Sequence, residues 1–195
     1  MPGRDERERW TRSELVLTLL VAFSMLSPSE LAIFFLVALG TLISADVRGQ
    51  NPLQLIGAEG TLLERAVTVA AQEAGSKLAR SSCQLVLSDF RSGDGRRLTE
   101  VLDGLGQDVQ TYFRGLVFYD GRGRSICANR DILAATLPGS RAVFVCSAQF
   151  VEKAHRDPGL AAVLLIHEEL HALGLGENPP TSREITAKVI QRCGK

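Results

Sequence analysis

Towards its C-terminal end the chain reads His167-Glu168-Glu169-Leu170-His171. The two histidines are four residues apart. On a helix that spacing puts both imidazoles on one face, one turn apart, where they can grip a single Zn2+ ion. Glu168 follows the first histidine. It points about a third of a turn away, toward the position that a catalytic zinc leaves open for water. There it is placed to take a proton from that water as a general base. Zinc lowers the pKa of bound water to about 7, so the chemistry expected is hydrolysis near neutral pH. The chain has only three histidines, and two of them fall in this motif. The alternative is a helix whose histidines are satisfied by ordinary hydrogen bonds.

This chemistry needs a helix to carry it. Asp157-Pro158 marks its start, with Asp157 able to cap and Pro158 at the first helical position. Leu160, Val163, Leu164, Leu165 and Ile166 follow, and Gly174 and Gly176 end the run. Such an apolar helix belongs inside a domain. Polar groups buried there without partners are costly. His167, Glu168, Glu169 and His171 within it therefore point to a functional site.

The segment continues Ala172-Leu173-Gly174-Leu175-Gly176-Glu177. Over residues 167–177 it resembles the zincin-type metallopeptidases, and among them the metzincin pattern H-E-x-x-H-x-x-G-x-x-H. In that family the glycine breaks the helix and turns the chain back, so that the last position becomes the third zinc ligand. The resemblance implies that Glu177 takes this role, and a carboxylate is a competent zinc ligand. The family's methionine turn lies downstream of the motif, whereas Met1 and Met25 both lie upstream here. The rival ligand is Glu184, since thermolysin-like zincins use a glutamate on a following helix. Yet Thr181-Ser182-Arg183-Glu184 also fits a capping box. Asn178-Pro179-Pro180 would stiffen the loop that presents Glu177. The resemblance further implies an edge strand beside the site that pairs with extended peptide, and residues 142–146 are the candidate.

The remaining elements give an α+β reading. Residues 61–80 show the helical period through Leu62, Leu63, Ala66, Val67, Val69 and Ala70. Strand-like runs lie at 84–87, 116–119 and 142–146, the second closed by the turn signal Asp120-Gly121. Residues 99–113 look helical despite Gly104 and Gly106. A last helix at 182–192 shows Ile185, Val189 and Ile190 on one side and should pack behind the metal helix. The expected fold is thus a small zincin-like domain: a short mixed or antiparallel sheet, an active-site helix and a C-terminal helix, after an N-terminal hydrophobic segment. His155 is expected at the surface, with a site-edge acid as the alternative. Tyr112 and Tyr119 are expected in the core with a hydrogen-bonded tip, with an oxyanion donor as the alternative.

Composition bounds the partners. The chain has 195 residues, with 22 Lys plus Arg against 22 Asp plus Glu, so it lacks the basic excess of nucleic-acid binders. Residues 1–12 are densely charged, and apolar blocks follow at 15–26 and 31–45. Each block is short of the roughly 20 apolar residues a spanning helix needs. Residues 1–45 read as a signal peptide ending near Ala45, or as a membrane anchor or hairpin bent at Pro28. Met25 as the true start, and a buried helical hairpin, are the other readings. Residues 46–60 read as a linker, and 61–195 as the metallopeptidase-like domain.

Cys83, Cys127, Cys146 and Cys193 all follow the apolar segment. An even number in an exported domain suggests two disulfides, with three connectivities open. The pairing favoured is Cys127 with Cys146 and Cys83 with Cys193. None forms a Cys-x-x-Cys pair, which argues against a zinc ribbon or thioredoxin-type chemistry. Free buried thiols are the reading for a reducing compartment.

The function expected is an exported, secreted or membrane-anchored zinc metallohydrolase, a peptidase acting on peptide or protein substrates, with membrane association through residues 15–45. One alternative is a non-catalytic, zinc-stabilised, membrane-tethered binding module closed by four protein ligands, for instance with both Glu177 and Glu184 bound. Another is an envelope protein with no metal.

Overall fold

The computed structural model describes residues 54–194. The apolar blocks at 15–26 and 31–45, and residues 46–53, lie outside the described residues.

The chain enters as a strand, β1 (Gln54–Ile56), which pairs parallel with β2 (Val117–Asp120). The end of the expected linker is thus part of the sheet. The sheet order is β1-β2-β4-β3, with β4 (Ala142–Val145) parallel to β2 and β3 (Ala134–Thr136) antiparallel to β4. The fold is α+β with a mixed sheet. The strand expected at 142–146 is therefore internal. The edge on that side is β3, three small residues that carry no period to read. A short hairpin joins β3 to β4 through Gly139, whose φ of 80° suits glycine.

Helix α1 (Leu62–Leu78) begins where the Thr61 side chain accepts from the Glu64 amide. Its buried residues Leu63, Val67, Ala70, Ala71, Ala74 and Leu78 form one stripe at helical spacing. That stripe packs on α6 (Ser147–Arg156) and α7 (Pro158–Ala172). The run 84–87, expected as a strand, is helical instead: α2 (Ser81–Gln84) and α3 (Val86–Asp89). Four apolar residues do not distinguish a buried strand from buried helical turns. Cys83, Val86 and Leu87 are buried here against the core.

The helix expected over 99–113 is two helices, α4 (Leu98–Leu105) and α5 (Val109–Arg114). Gly106 stops the first in the left-handed conformation, φ 63°. Asp108 starts the second by accepting from the Thr111 amide at 2.9 Å.

The last helix, α8 (Ser182–Cys193), packs on α7. Ile185 and Val189 are buried, but Ile190 is 47% exposed and does not share their face. Five residues from Ile185 correspond to about 140° of rotation beyond a full turn. Disulfides join Cys83 to Cys193 and Cys127 to Cys146, the favoured pairing. Two such bonds suit an oxidising setting. Among the described residues, no helix is long and apolar enough to cross a membrane.

Candidate metal centre

Helix α7 starts where the sequence placed it. The Asp157 carboxylate accepts from the Leu160 amide at 2.9 Å, and Pro158 occupies the first turn. It is buried nearly all round, with α1, α6, α8 and β3 packed against it. The helix ends as the Gly174 amide donates to the His171 carbonyl and the Leu175 amide donates to the Leu170 carbonyl at 3.0 Å. Gly174 has φ 101°, and a Cβ there would sit 3.2 Å from the Ser92 Cβ. Only glycine meets both demands without strain. The chain then doubles back, burying Leu175 and bringing Glu177 beside the histidines.

His167, His171 and Glu177 converge on one point and could hold a metal ion. One ligand atom from each lies within 4.8 Å of the others. The two Nε2 atoms are 2.9 Å apart. Glu177 Oε1 lies 3.3 Å from His171 Nε2 and 3.8 Å from His167 Nε2. His171 Nδ1 donates to the Leu175 carbonyl at 2.7 Å, which leaves Nε2 of the neutral ring as the lone-pair nitrogen. His167 Nδ1 lies 2.9 Å from Thr186 Oγ1 on α8. Asn178, at φ 67°, donates its amide to the Pro180 carbonyl at 2.9 Å, which shapes the loop after Glu177.

The burial of these groups sets their charge. Desolvation, reinforced by the neighbouring His171, lowers the His167 pKa to about 3, so the ring is neutral. Neutral imidazole is the form that binds a metal. Desolvation raises the Glu168 pKa to about 8, with Glu177 adding to the rise and Thr136 opposing it. The Glu168 carboxyl lies beside the Thr136 hydroxyl and amide, yet its Oε2 and the Thr136 hydroxyl both lack a well-formed hydrogen bond. Such an orphaned buried oxygen suits a group meant to meet a substrate or a water.

The centre opens into a groove of about 590 Å³ with β3 along one wall. Ile132, Leu133, Phe144 and Leu164 make its lining largely apolar. The hairpin is tied to α7, since the Gly139 amide donates to the His171 carbonyl at 2.9 Å.

The other candidates lie elsewhere. Glu184 is exposed and closes the capping box, accepting from the Thr181 amide at 2.8 Å. His155 is exposed on α6. Tyr112 is buried and donates its hydroxyl to the Ala172 carbonyl at 2.7 Å, a core role. Tyr119 stacks on Phe144 with ring centroids 5.4 Å apart. Sequence reasoning missed Thr136 and Thr186. Neither stands at a spacing that singles it out, and both reach the site only through packing between distant elements.

No protein-family model matches the chain, and no curated protein or solved structure matches it.

Proposed function

We propose that this domain is a zinc-dependent metallohydrolase, a zincin-type peptidase, with Glu168 as its general base. The observation that carries the reading is the convergence of His167, His171 and Glu177 in an apolar groove that Glu168 also lines, with one oxygen of the Glu168 carboxyl left without a partner. The donor set of two imidazoles and one carboxylate suits zinc with an open position. When bound, zinc supplies Lewis acidity and lowers the pKa of water to about 7.

The chain's own residues supply the rest. Glu168 takes a proton from water in the groove and passes it to the leaving amine. A pKa raised by burial makes the carboxylate a stronger proton acceptor once ionised, and a nearby cation favours that ionised form. The free edge of β3 offers main-chain hydrogen bonds to an extended peptide. The apolar groove wall accepts its side chains and excludes water. Glu184 serves as a cap on α8 and does not join the three groups that converge at the centre. Export, by secretion or by an anchor in residues 15–45, fits the two disulfides and belongs to the same proposal.

The test is the pair Glu168→Gln and His167→Ala in the full-length protein. Metal content is read by elemental mass spectrometry and turnover on a mixed peptide library. Glu168→Gln should keep about one zinc per chain and lose about 10²- to 10⁴-fold in rate. His167→Ala should lose the zinc. A Glu168→Gln protein with full turnover would sink the mechanism.

A further inference from the structure

We propose that Thr186 is a positioning residue of the metal centre, its hydroxyl serving His167 in two tautomers as the centre empties and fills. This rests on the reading that His167, His171 and Glu177 hold a metal. His171 has no freedom of tautomer, because its Nδ1 faces the Leu175 carbonyl, which can only accept. Its Nε2 therefore presents a lone pair. His167 Nε2 lies 2.9 Å from that lone pair. In the metal-free protein, with that lone pair facing it, His167 Nε2–H donates to it, and the Glu177 carboxylate, 3.8 Å from the same nitrogen, favours a proton there. His167 Nδ1 is then an acceptor, and the Thr186 hydroxyl, 2.9 Å away, donates.

Were His167 and His171 to hold a cation through Nε2, both nitrogens would have to offer lone pairs and the roles would reverse. The His167 proton sits on Nδ1, exchanged through solvent, and the ring stays neutral. Thr186 Oγ1 now accepts. A hydroxyl can both donate and accept. A carboxylate or carbonyl in its place would satisfy the filled centre alone, and an ammonium the empty one alone.

The backbone around Thr186 holds the hydroxyl in register. The capping box at Thr181 fixes the start of α8. Its end is fixed by the Cys83–Cys193 disulfide and by Arg192, which donates to both oxygens of Asp89 at 2.7 and 2.9 Å. Ile185 and Val189, buried on either side of Thr186 in sequence, seat the helix on the core.

The test compares full-length wild type, Thr186→Ser and Thr186→Val. Zinc affinity is measured by competition with a chromophoric chelator. Long-range ¹H–¹⁵N spectra of the histidine rings are recorded with and without zinc. Thr186→Val should bind zinc about 10- to 100-fold more weakly, and Thr186→Ser should restore the affinity. In wild type the His167 proton should move from Nε2 to Nδ1 when zinc is added, a change that a merely structural threonine would not produce. The wild-type spectra decide this even where a variant folds poorly. Zinc binding by wild type with unchanged affinity in Thr186→Val overturns the proposal alone, as does a His167 Nδ1–H already present without zinc. Failure of wild type to bind zinc overturns the metal-centre reading and this proposal together.

Discussion

The imidazole of His171 donates through Nδ1 to the carbonyl oxygen of Leu175, 2.7 Å away and one residue beyond the glycine that ends the helix. The orientation of a candidate ligand and the turn that delivers Glu177 are therefore one unit. Gly174, at φ 101° and against Ser92, is its hinge. Gly174→Ala should cost about 1–3 kcal/mol in stability and weaken zinc binding as well. Denaturant midpoints and a zinc competition assay check this. A variant with wild-type values in both would show that the turn tolerates a side chain and does not orient the ligands.

Three buried groups govern how the metal-free protein responds to pH. Burial lowers the folded pKa of His167 to about 3 from its ordinary 6.5. Its contribution is complete above 6.5 and is lost as pH falls toward 3. Glu168 is raised from 4.5 to about 8, and Glu169 is also raised well above 4.5. Their contributions are complete below 4.5 and are lost as pH rises, for Glu168 through about 8. Between 4.5 and 6.5 one group gains while two lose, and above 6.5 only the losses remain. Metal-free protein should melt at a lower temperature at about pH 8 than at about pH 5. A melting temperature that climbs steadily across this window would contradict the buried carboxyl assignment.

Glu169 is buried in the core and does not line the groove. It is 0% exposed, and neither carboxyl oxygen has a partner. Glu169→Leu should raise stability by about 1–3 kcal/mol, the cost of an unpartnered polar group in a core. The gain should grow as pH rises above 4.5, because wild type loses stability there through the raised carboxyl pKa. Urea unfolding at two pH values measures it. A destabilised leucine variant would mean that the carboxyl has a partner in solution.

The two disulfides should differ in worth. Cys83 and Cys193 are separated by 110 residues, Cys127 and Cys146 by 19. In the chain-entropy account a loop of about 100 residues contributes about 4.7 kcal/mol and one of about 15 residues about 3 kcal/mol. Replacing Cys83 and Cys193 by serine should lower the unfolding midpoint more than replacing Cys127 and Cys146. The reverse order would point to native-state effects outweighing the loop term.

Helix α7 was legible because its signals are local. Asp157 and Pro158 start it, Gly174 ends it, and the four-residue histidine spacing needs only helical geometry to become a shared face. The same locality explains the errors. Residues 84–87 are apolar in a run too short to show a period, and they turned out helical. Ala134–Thr136 has neither length nor pattern, yet it is the edge strand beside the groove. Gly104 and Gly106 both fall inside the helix expected over 99–113; Gly104 is helical within α4, whereas Gly106, in the left-handed conformation, ends it and splits the element.

By itself, then, the sequence determined the helix that bears the histidines, the place of Glu168 on it, the caps of α7 and α8, and a short list of disulfide pairings. Each follows from interactions within a turn or two of chain, or from cysteine count. Only the tertiary structure decided that Glu177 lies against the histidines while Glu184 caps α8. It alone brought Thr136 to Glu168 and Thr186 to His167, across separations of 32 and 19 residues. Contacts of that range depend on how α7, α8 and β3 pack around a common core, and packing is set by the whole chain at once.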